Sequence, residues 1–264
     1  MKAFLFTLVM LGLAANHVAA ADWKLVWSDE FNYRGLPDPA KWDYETGFVR
    51  NHERQYYTAA RLENARVEDG HLVIECRKEH FTPPNHAPVE YTAASLTTRT
   101  TAGWQYGRIE VRAKLPQGKG VWPAIWTLGT NIAQVGWPRC GEMDIMEFVG
   151  KEPGGIHGTV HYAIAGQHQS DGGTLQTNRP FDDFHVYALE WTPERIDFFY
   201  DTTKYHTVPV SKADQGAGNP FRAPHYLILN FALGGDWGGP VEDAMLPQQF
   251  LVDYVRIYQS SDTQ

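Results

Sequence analysis

Residues 140 to 150 read Cys140-Gly141-Glu142-Met143-Asp144-Ile145-Met146-Glu147-Phe148-Val149-Gly150. This stretch places three carboxylates among apolar residues, where ionised groups are costly to keep. Because side chains alternate along a regular strand, Glu142 and Asp144 would share one face and Glu147 would point to the other. A β-bulge between Asp144 and Glu147 adds one residue and returns Glu147 to the face of the other two acids. The stretch therefore predicts a bulged strand with one acidic face and one apolar face that packs on a second sheet.

An amphipathic helix, with Glu142 and Met146 on one side, is the alternative for the same residues. Gly141 and Gly150 bound the run closely, and helical spacing brings the three acids onto no common stripe. The strand is therefore the preferred interpretation.

Three acids on one face of a strand suit the hydrolysis of a glycosidic bond, which needs two carboxyl groups in different protonation states. Their crowding makes simultaneous ionisation unfavourable and raises at least one pKa. We assign Glu142 as the nucleophile, Glu147 as the general acid/base and Asp144 as the residue that orients Glu142. The strand rise places the two glutamate backbones about 13 Å apart, whereas a retaining enzyme needs its carboxyl groups about 5–5.5 Å apart. The side chains must lean together over Asp144, and spacing alone does not choose between retention and inversion.

Residues 142–147 resemble the E-x-D-x-x-E signature of glycoside hydrolase family 16, in its bulged, laminarinase-type form. Six further segments resemble strands of this family and follow its order over nearly the whole chain after residue 22. They are 25–31, 106–116, 122–126, 157–162, 187–193 and 252–258. The resemblance implies a β-jelly-roll sandwich of two antiparallel sheets with a concave substrate cleft. It also implies a retaining mechanism, endo-hydrolysis of a β-1,3-linked glucan, and the same roles for the first and last glutamates.

Strand patterns elsewhere in the chain predict an all-β domain. Turn residues such as Asp69-Gly70 and Gly234-Gly235-Asp236 separate β-rich runs, and helical periodicity is scarce. The predicted strands are 72–77, 107–115, 158–162, 185–191, 195–200, 226–232 and 250–258.

The length and charge of the chain limit its organisation and partners. It has 264 residues and a formal net charge of −8 at pH 7. Since no linker or repeat divides it, we expect one catalytic domain over residues 22–264. The negative charge disfavours nucleic acid and anionic membrane as partners, and mildly disfavours a sulfated polysaccharide. A neutral β-glucan fits best, and a monomer is the default expectation.

The first residues predict export. A positive start at Met1-Lys2, an apolar stretch and the small residues Ala19 and Ala20 are typical of a secretory signal peptide over residues 1–21. The alternative is a buried N-terminal helix. We expect a secreted protein, either extracellular or periplasmic. For the two cysteines, Cys76 and Cys140, we favour separate buried thiols over a disulfide.

Aromatic residues are the candidates for lining a sugar-binding cleft. Trp122 and Trp126 are four residues apart on one predicted strand and so point the same way. Trp137 lies in the loop that leads to the acidic strand, and Trp237 lies in a glycine-rich loop that could supply a further platform. The alternative is that a tryptophan belongs to the core, which we expect for Trp27 and Trp191 and leave open for Trp104.

Polar candidates for the cleft come mostly from the resemblance to laminarinases, which points to Asn51 and Arg99 as substrate-binding residues. His161, on the strand after the acidic one, is interpreted either as a contact of Glu147 or the substrate, or as a structural histidine. For Glu53 a surface or ion-paired position is favoured over an acid in the groove.

Glycosidic hydrolysis by carboxylates needs no cofactor. The sequence has no His/Cys spacing typical of zinc and no glycine-rich phosphate loop. The resemblance implies one structural calcium, built from backbone carbonyls and an aspartate, at Glu30, Gly70 and Asp253.

These observations predict a secreted endo-β-1,3-glucanase. The alternatives within the same fold are a mixed-linkage β-1,3-1,4-glucanase, a transglycosylase, or a hydrolase of agar or carrageenan. A glucan-binding protein without activity is disfavoured because both Glu142 and Glu147 are present.

Overall fold

The computed structural model of the chain describes residues 22–216 and 218–260; the predicted leader, residues 1–21, lies outside the described residues. Strands dominate the described part, and its helices are all short. The strands are β1 (Trp23–Asp29), β2 (Asp43–Glu45), β3 (Tyr56–Tyr57), β4 (Ala65–Glu68), β5 (His71–Phe81), β6 (Val89–Ala93), β7 (Ser95–Thr97), β8 (Gly107–Lys114), β9 (Val121–Gly129), β10 (Glu142–Glu147), β11 (Gly155–Ile164), β12 (Gln167–Gln176), β13 (His185–Trp191), β14 (Arg195–Tyr200), β15 (Thr203–Pro209), β16 (His225–Leu233) and β17 (Gln248–Ser260). The helices are α1 (Ile132–Val135), α2 (Gly235–Gly238) and the 3₁₀ turns Val210–Ala213, Pro220–Arg222 and Asp243–Met245. None of the described helices is long and apolar enough to cross a membrane.

Two sheets form the fold. The larger has the order β15-β14-β13-β8-β17-β5-β6-β3, with β1 added on β17 and β4 added on β5. The smaller has the order β12-β11-β10-β9-β16-β7-β2. The long neighbouring strands pair antiparallel, and the two-residue β3 pairs parallel with β6. This two-sheet arrangement, which does not close into a barrel, confirms the predicted jelly-roll sandwich, and each of the seven predicted strand runs falls on an observed strand.

The core lies between the two sheets, and β8 illustrates how the sequence builds it. Ile109, Val111 and Ala113 are buried, and the charged residues between them point outward, as the two-residue period of a strand requires. Trp191 joins this core, as predicted. Trp27 and Trp104 pack against it half-buried, with ring centroids 5.3 Å apart.

Strands β9 and β16 are buried along their whole length. One face of each packs on the core, and the other supplies residues to a cleft on the outer side of the smaller sheet. The strand that carries the three acids, β10, lies directly beside β9.

The two cysteines are free, buried thiols, as predicted. Burial raises the pKa of the Cys140 thiol to about 11.

Candidate active site

Strand β10 contains the predicted bulge. Opposite β9, Glu142 pairs with Leu128, Asp144 with Trp126 and Glu147 with Ala124, and the register shifts between Asp144 and Met146. Five residue steps on β10 therefore lie opposite four on β9, which corresponds to about 13 Å at the usual strand rise. The bulge thus places all three acids on the cleft face.

The other face of β10 is apolar, as predicted. Met143, Ile145, Met146 and Phe148 are fully buried in the core between the sheets. Packing of these four side chains fixes the strand, and through it the positions of the acids.

Each glutamate has one carboxylate oxygen held by an indole. Nε1 of Trp122, on β9, donates to Oε1 of Glu147 at 2.9 Å. Nε1 of Trp137, in the loop before β10, donates to Oε2 of Glu142 at 2.9 Å. The second oxygen of each glutamate is left for chemistry at the cleft.

His161 approaches the acids from β11. Its Nε2 lies 3.1 Å from Oδ2 of Asp144 and 3.9 Å from Oε1 of Glu142. Its Nδ1 lies 2.9 Å from Nε2 of His168 on β12. The predicted contact with Glu147 is therefore corrected: register opposite β10 places His161 beside Glu142, and it is His157 that lies opposite Glu147.

Burial raises the pKa of all three acids. For Glu142 the pKa rises to about 8, through desolvation and then the charge of Asp144, while His161 and the Trp137 N–H act in the opposite direction. For Glu147 the pKa rises to about 7, again mainly through desolvation, opposed by the hydrogen bond from Trp122. Desolvation and the charge of Glu147 hold the pKa of Asp144 well above its ordinary value. The cluster therefore retains protons that exposed carboxyl groups would lose near neutral pH.

The acids lie in a cleft of about 430 Å³ that crosses the smaller sheet from β10 over β9 and β16 to β2. Five of the seven predicted substrate-binding residues line it. They are Asn51, Arg99, Trp122, Trp126 and Trp137.

The cleft tryptophans differ in how much ring they expose. Trp122 and Trp126 point the same way, as predicted, but both are buried, and the Arg50 guanidinium lies 4.8 Å from the ring centroid of Trp126. Trp137 is 50% exposed and so offers the most accessible aromatic surface. Trp237 lies edge-on against Trp122, with centroids 5.6 Å apart; its predicted role as a further platform stays a prediction.

Glu53 lies elsewhere than expected. It is buried at the cleft, so the surface position favoured from the sequence is wrong. Its carboxylate accepts hydrogen bonds from neutral donors on Gln55, Tyr57 and Asn51. Burial raises its pKa, because the loop that carries it folds back against β16.

Sequence reasoning missed Arg50, Tyr226 and Asn230, which also line the cleft. Oδ1 of Asn230 accepts a hydrogen bond from the Trp126 indole at 2.7 Å. A signal was present, because Asn230 interrupts the apolar run of β16 and shares a face with Tyr226.

The three residues implied for calcium lie on neighbouring parts of the larger sheet, since β1 and the β4–β5 hairpin both adjoin β17. Both oxygens of Glu30 accept hydrogen bonds from Arg256, at 3.0 and 2.8 Å, and Asp253 pairs with Arg112. Arg112 competes with a cation for the Asp253 carboxylate, and the Glu30 carboxylate is not among the implied donors, which are backbone carbonyls and an aspartate. Calcium binding stays a prediction.

Comparisons with known proteins agree with this geometry. The profile of "Glycosyl hydrolases family 16" matches residues 52–256. The chain is 47% identical to the laminarinase from Rhodothermus marinus, whose X-ray structure has a TM-score of 0.82 over 91% of this chain and 98% of that one. It is 44% identical to SCLam, described as a non-specific endo-β-1,3(4)-glucanase, with a TM-score of 0.84 over 91% and 97% of the two chains. A glucan endo-1,3-beta-glucosidase of Cryptopygus antarcticus is 38% identical over 97% of this chain and 98% of its own.

The bulged acidic strand, the jelly-roll sandwich around it and these matches lead to one conclusion: the chain belongs to glycosyl hydrolases family 16.

Proposed function

We propose that this glycoside hydrolase is an endo-β-1,3-glucanase that acts by a retaining double displacement. The observation that carries the proposal is the pair Glu142 and Glu147, which share one face of β10 and each have one oxygen anchored by an indole N–H. The names of the laminarinase and the endo-1,3-glucosidase relatives support a β-1,3-glucan as the substrate.

In the proposed first step, Oε1 of Glu142 attacks the anomeric carbon, and the glycosidic C–O bond breaks. Its electron pair stays on the leaving oxygen, which takes the proton of Glu147. In the second step, water gives a proton to Glu147 and attacks the anomeric carbon, and the Glu142 carboxylate leaves. Two displacements at one carbon preserve its configuration.

These roles need Glu142 ionised and Glu147 protonated, whereas the pKa values of about 8 and about 7 rank the two glutamates the other way. The hydrogen-bond donors and charges around each glutamate favour the proposed roles. Glu142 has the Trp137 N–H and nearby His161, both of which lower its pKa, while Glu147 has the single indole of Trp122. A hydrogen-bond donor and an imidazole beside Glu142 favour its carboxylate, because contacts that stabilise the charged form favour ionisation.

The shape of the cleft supports endo-hydrolysis. From β10 to β2 it crosses four strand spacings, or about 19 Å at the usual distance between neighbouring strands. A groove of this length can hold several consecutive sugar rings.

A mixed-linkage β-1,3-1,4-glucan is the second candidate substrate. The similarity to SCLam, a non-specific endo-β-1,3(4)-glucanase, favours it. Both substrates use the same acids, so the choice lies in the cleft residues away from β10.

Export and a monomeric state are further parts of the proposal. The positive start and apolar run of residues 1–21 support export. Cleavage of the leader would be found by N-terminal sequencing of secreted protein, and light scattering would measure the oligomeric state.

The test is the release of reducing ends from laminarin, lichenan, agarose and κ-carrageenan, with the anomeric configuration of the first product followed by NMR. We expect laminarin to be cut fastest and the β-anomer to form first. Preference for lichenan would make the second candidate the substrate. Activity on agarose or κ-carrageenan without activity on laminarin would overturn the proposed substrate, and an initial α-anomer would overturn retention.

A further inference from the structure

Glu142, Asp144 and His161 bring three metal-binding atoms together at the cleft. Among the residues that the structure describes, they are the one group of three His, Cys, Asp or Glu side chains whose donor atoms lie within 4.8 Å of one another. The set combines one imidazole nitrogen with two carboxylate oxygens, and its charge balance suits a divalent cation.

The spacing of these atoms fits a small transition-metal ion. Tetrahedral zinc with ligands at about 2.0–2.1 Å requires neighbouring ligand atoms to lie roughly 3.4 Å apart. Nε2 of His161 lies 3.1 Å from Oδ2 of Asp144 and 3.9 Å from Oε1 of Glu142, on either side of that value. The third distance, between the Glu142 and Asp144 oxygens, lies within 4.8 Å. Side-chain rotation that closes this distance would complete three ligands and leave a fourth position open to the cleft.

Asp144 supplies an independent sign of a missing partner. The residue is 3% exposed, and among the described residues no group makes a hydrogen bond to its Oδ2. A buried polar oxygen without such a bond is costly. This oxygen faces the His161 nitrogen, where a cation would satisfy both.

Outer contacts already hold two of the three ligands in place. Nδ1 of His161 lies 2.9 Å from Nε2 of His168, so a proton on Nδ1 can be donated to His168 while Nε2 keeps its lone pair for a metal. Oε2 of Glu142 accepts from the Trp137 indole, which leaves Oε1 free. Partners of this kind orient metal ligands and set their affinity.

We propose that Glu142, Asp144 and His161 form a binding site for a borderline divalent transition metal, represented by Zn²⁺, and that occupancy reversibly blocks hydrolysis. Mixed nitrogen and oxygen donors with few positions suit Zn²⁺, Cu²⁺ or Co²⁺. Ca²⁺ and Mg²⁺ prefer oxygen donors and higher coordination numbers, and should not bind. Blockage follows because a metal on Oε1 of Glu142 withdraws electron density from the nucleophile and occupies the approach to the anomeric carbon; this second part rests on the proposed function.

Direct binding tests the site without reference to activity. Chelator-treated protein is titrated with Zn²⁺ by calorimetry, and Co²⁺ binding is followed through its visible absorption spectrum. We expect one saturable Zn²⁺ per chain, a tetrahedral Co²⁺ spectrum and no binding of Ca²⁺ or Mg²⁺ at this site. Absence of saturable Zn²⁺ binding would overturn the proposal, whatever the enzyme does to laminarin.

Two inactive variants give a matched comparison. Glu142→Gln and Glu147→Gln each remove one carboxylate from the same cleft, but Glu142 alone is a proposed ligand. We expect Glu142→Gln to weaken Zn²⁺ binding more than tenfold and Glu147→Gln to weaken it much less. Equal effects would assign the binding to the general negative field of the cleft and contradict the site.

Histidine variants test whether His161 is a metal ligand and whether His168 supports it. His161→Gln should weaken Zn²⁺ binding more than tenfold, and His168→Gln should weaken it by about 10–100-fold, the usual effect of losing an outer partner. His86→Asn, which changes an exposed histidine, is the control and should bind as the wild type does. Unchanged binding in His161→Gln would place the metal elsewhere.

The inhibition is tested with the wild type on laminarin. Zn²⁺ should reduce the rate in parallel with occupancy, and chelator should restore it. A different outcome is that Zn²⁺ binds and the variants lose affinity as expected, while the rate on laminarin is unchanged. In that case the metal site is confirmed and its inhibitory role is wrong.

Discussion

The outer faces of the two sheets differ in how their acidic side chains are paired. On the larger sheet, Arg108 contacts Glu110 at 2.9 Å and Glu190 at 2.8 Å, and Arg256 contacts Glu30 at 2.8 Å. On the smaller sheet, Glu142 and Asp144 lie together, and the ion-pair partner that both share is a histidine, His161. Cross-strand pairs of opposite charge stabilise a sheet, whereas like charges in contact destabilise it. The cluster of acids therefore destabilises the smaller sheet, but it provides carboxyl groups that can gain and lose protons at the pH of the reaction.

The strongest test of this contrast removes one acid from each face. Glu142→Gln should lower kcat/KM on laminarin by more than about 10⁴-fold, as loss of a nucleophile does in other hydrolases. Glu110→Gln, on the larger sheet, should leave the rate within about twofold because surface changes away from the site are nearly neutral. Initial-rate kinetics measure both, and circular dichroism verifies folding. Comparable losses in the two variants would contradict the assignment of Glu142.

The second prediction concerns stability as a function of pH. The folded-state pKa values of Glu142 and Glu147 are raised to about 8 and about 7 from 4.5. Stability from these groups is therefore present below about pH 4.5 and is lost as the pH rises through 7 to 8. Relative to Glu142→Gln/Glu147→Gln, the wild type should lose more than about 1.4 kcal/mol over this window, the free energy of a tenfold change in one protonation equilibrium. Urea unfolding at a series of pH values measures the difference, and a constant difference would mean that folding does not raise the pKa values of the two acids.

The third prediction concerns the pH profile of catalysis. His161 lowers the pKa of Glu142, and the proposed nucleophile must be ionised. His161→Gln should therefore move the acid limb of kcat/KM to higher pH, and the rate on the acid side should fall about tenfold for every pH unit that the limb moves. The rate on the plateau should fall much less. A uniform loss at every pH would indicate a purely structural role for His161.

The smallest expected effect is the loss of stability when an acid is removed from the larger sheet. Glu110 accepts hydrogen bonds from Arg108 and from the Tyr254 hydroxyl at 2.7 Å. Glu110→Gln should lower the free energy of unfolding by about 1 kcal/mol, whereas Glu142→Gln should leave it unchanged or raise it. Equal destabilisation by the two variants in urea unfolding would remove the contrast between the faces.

Local patterns in the sequence were sufficient for the parts of the site that lie on one strand. The bulge followed from the odd spacing of Glu147, and the shared direction of Trp122 and Trp126 followed from strand alternation. Contacts between segments that are distant in sequence could not be predicted from such local patterns. Trp126 meets Asn230 across 104 positions of sequence, and Glu53 is buried only because its loop packs on β16. Whether a polar side chain is exposed depends on what folds over it, which local periodicity does not contain.

The placement of β17 has a consequence for how the molecule is made. Residues 248–260 pair with β8 along one edge, and with β5 and then β1 along the other. Strand β1 therefore has no partner until the last described strand is made, and one edge each of β5 and β8 stays unpaired until then. Since a ribosome releases the N-terminal part first, the larger sheet closes only after residue 260 has emerged. Until then the nascent chain has unpaired strand edges that a chaperone could bind, which would keep the chain unfolded for the export proposed above.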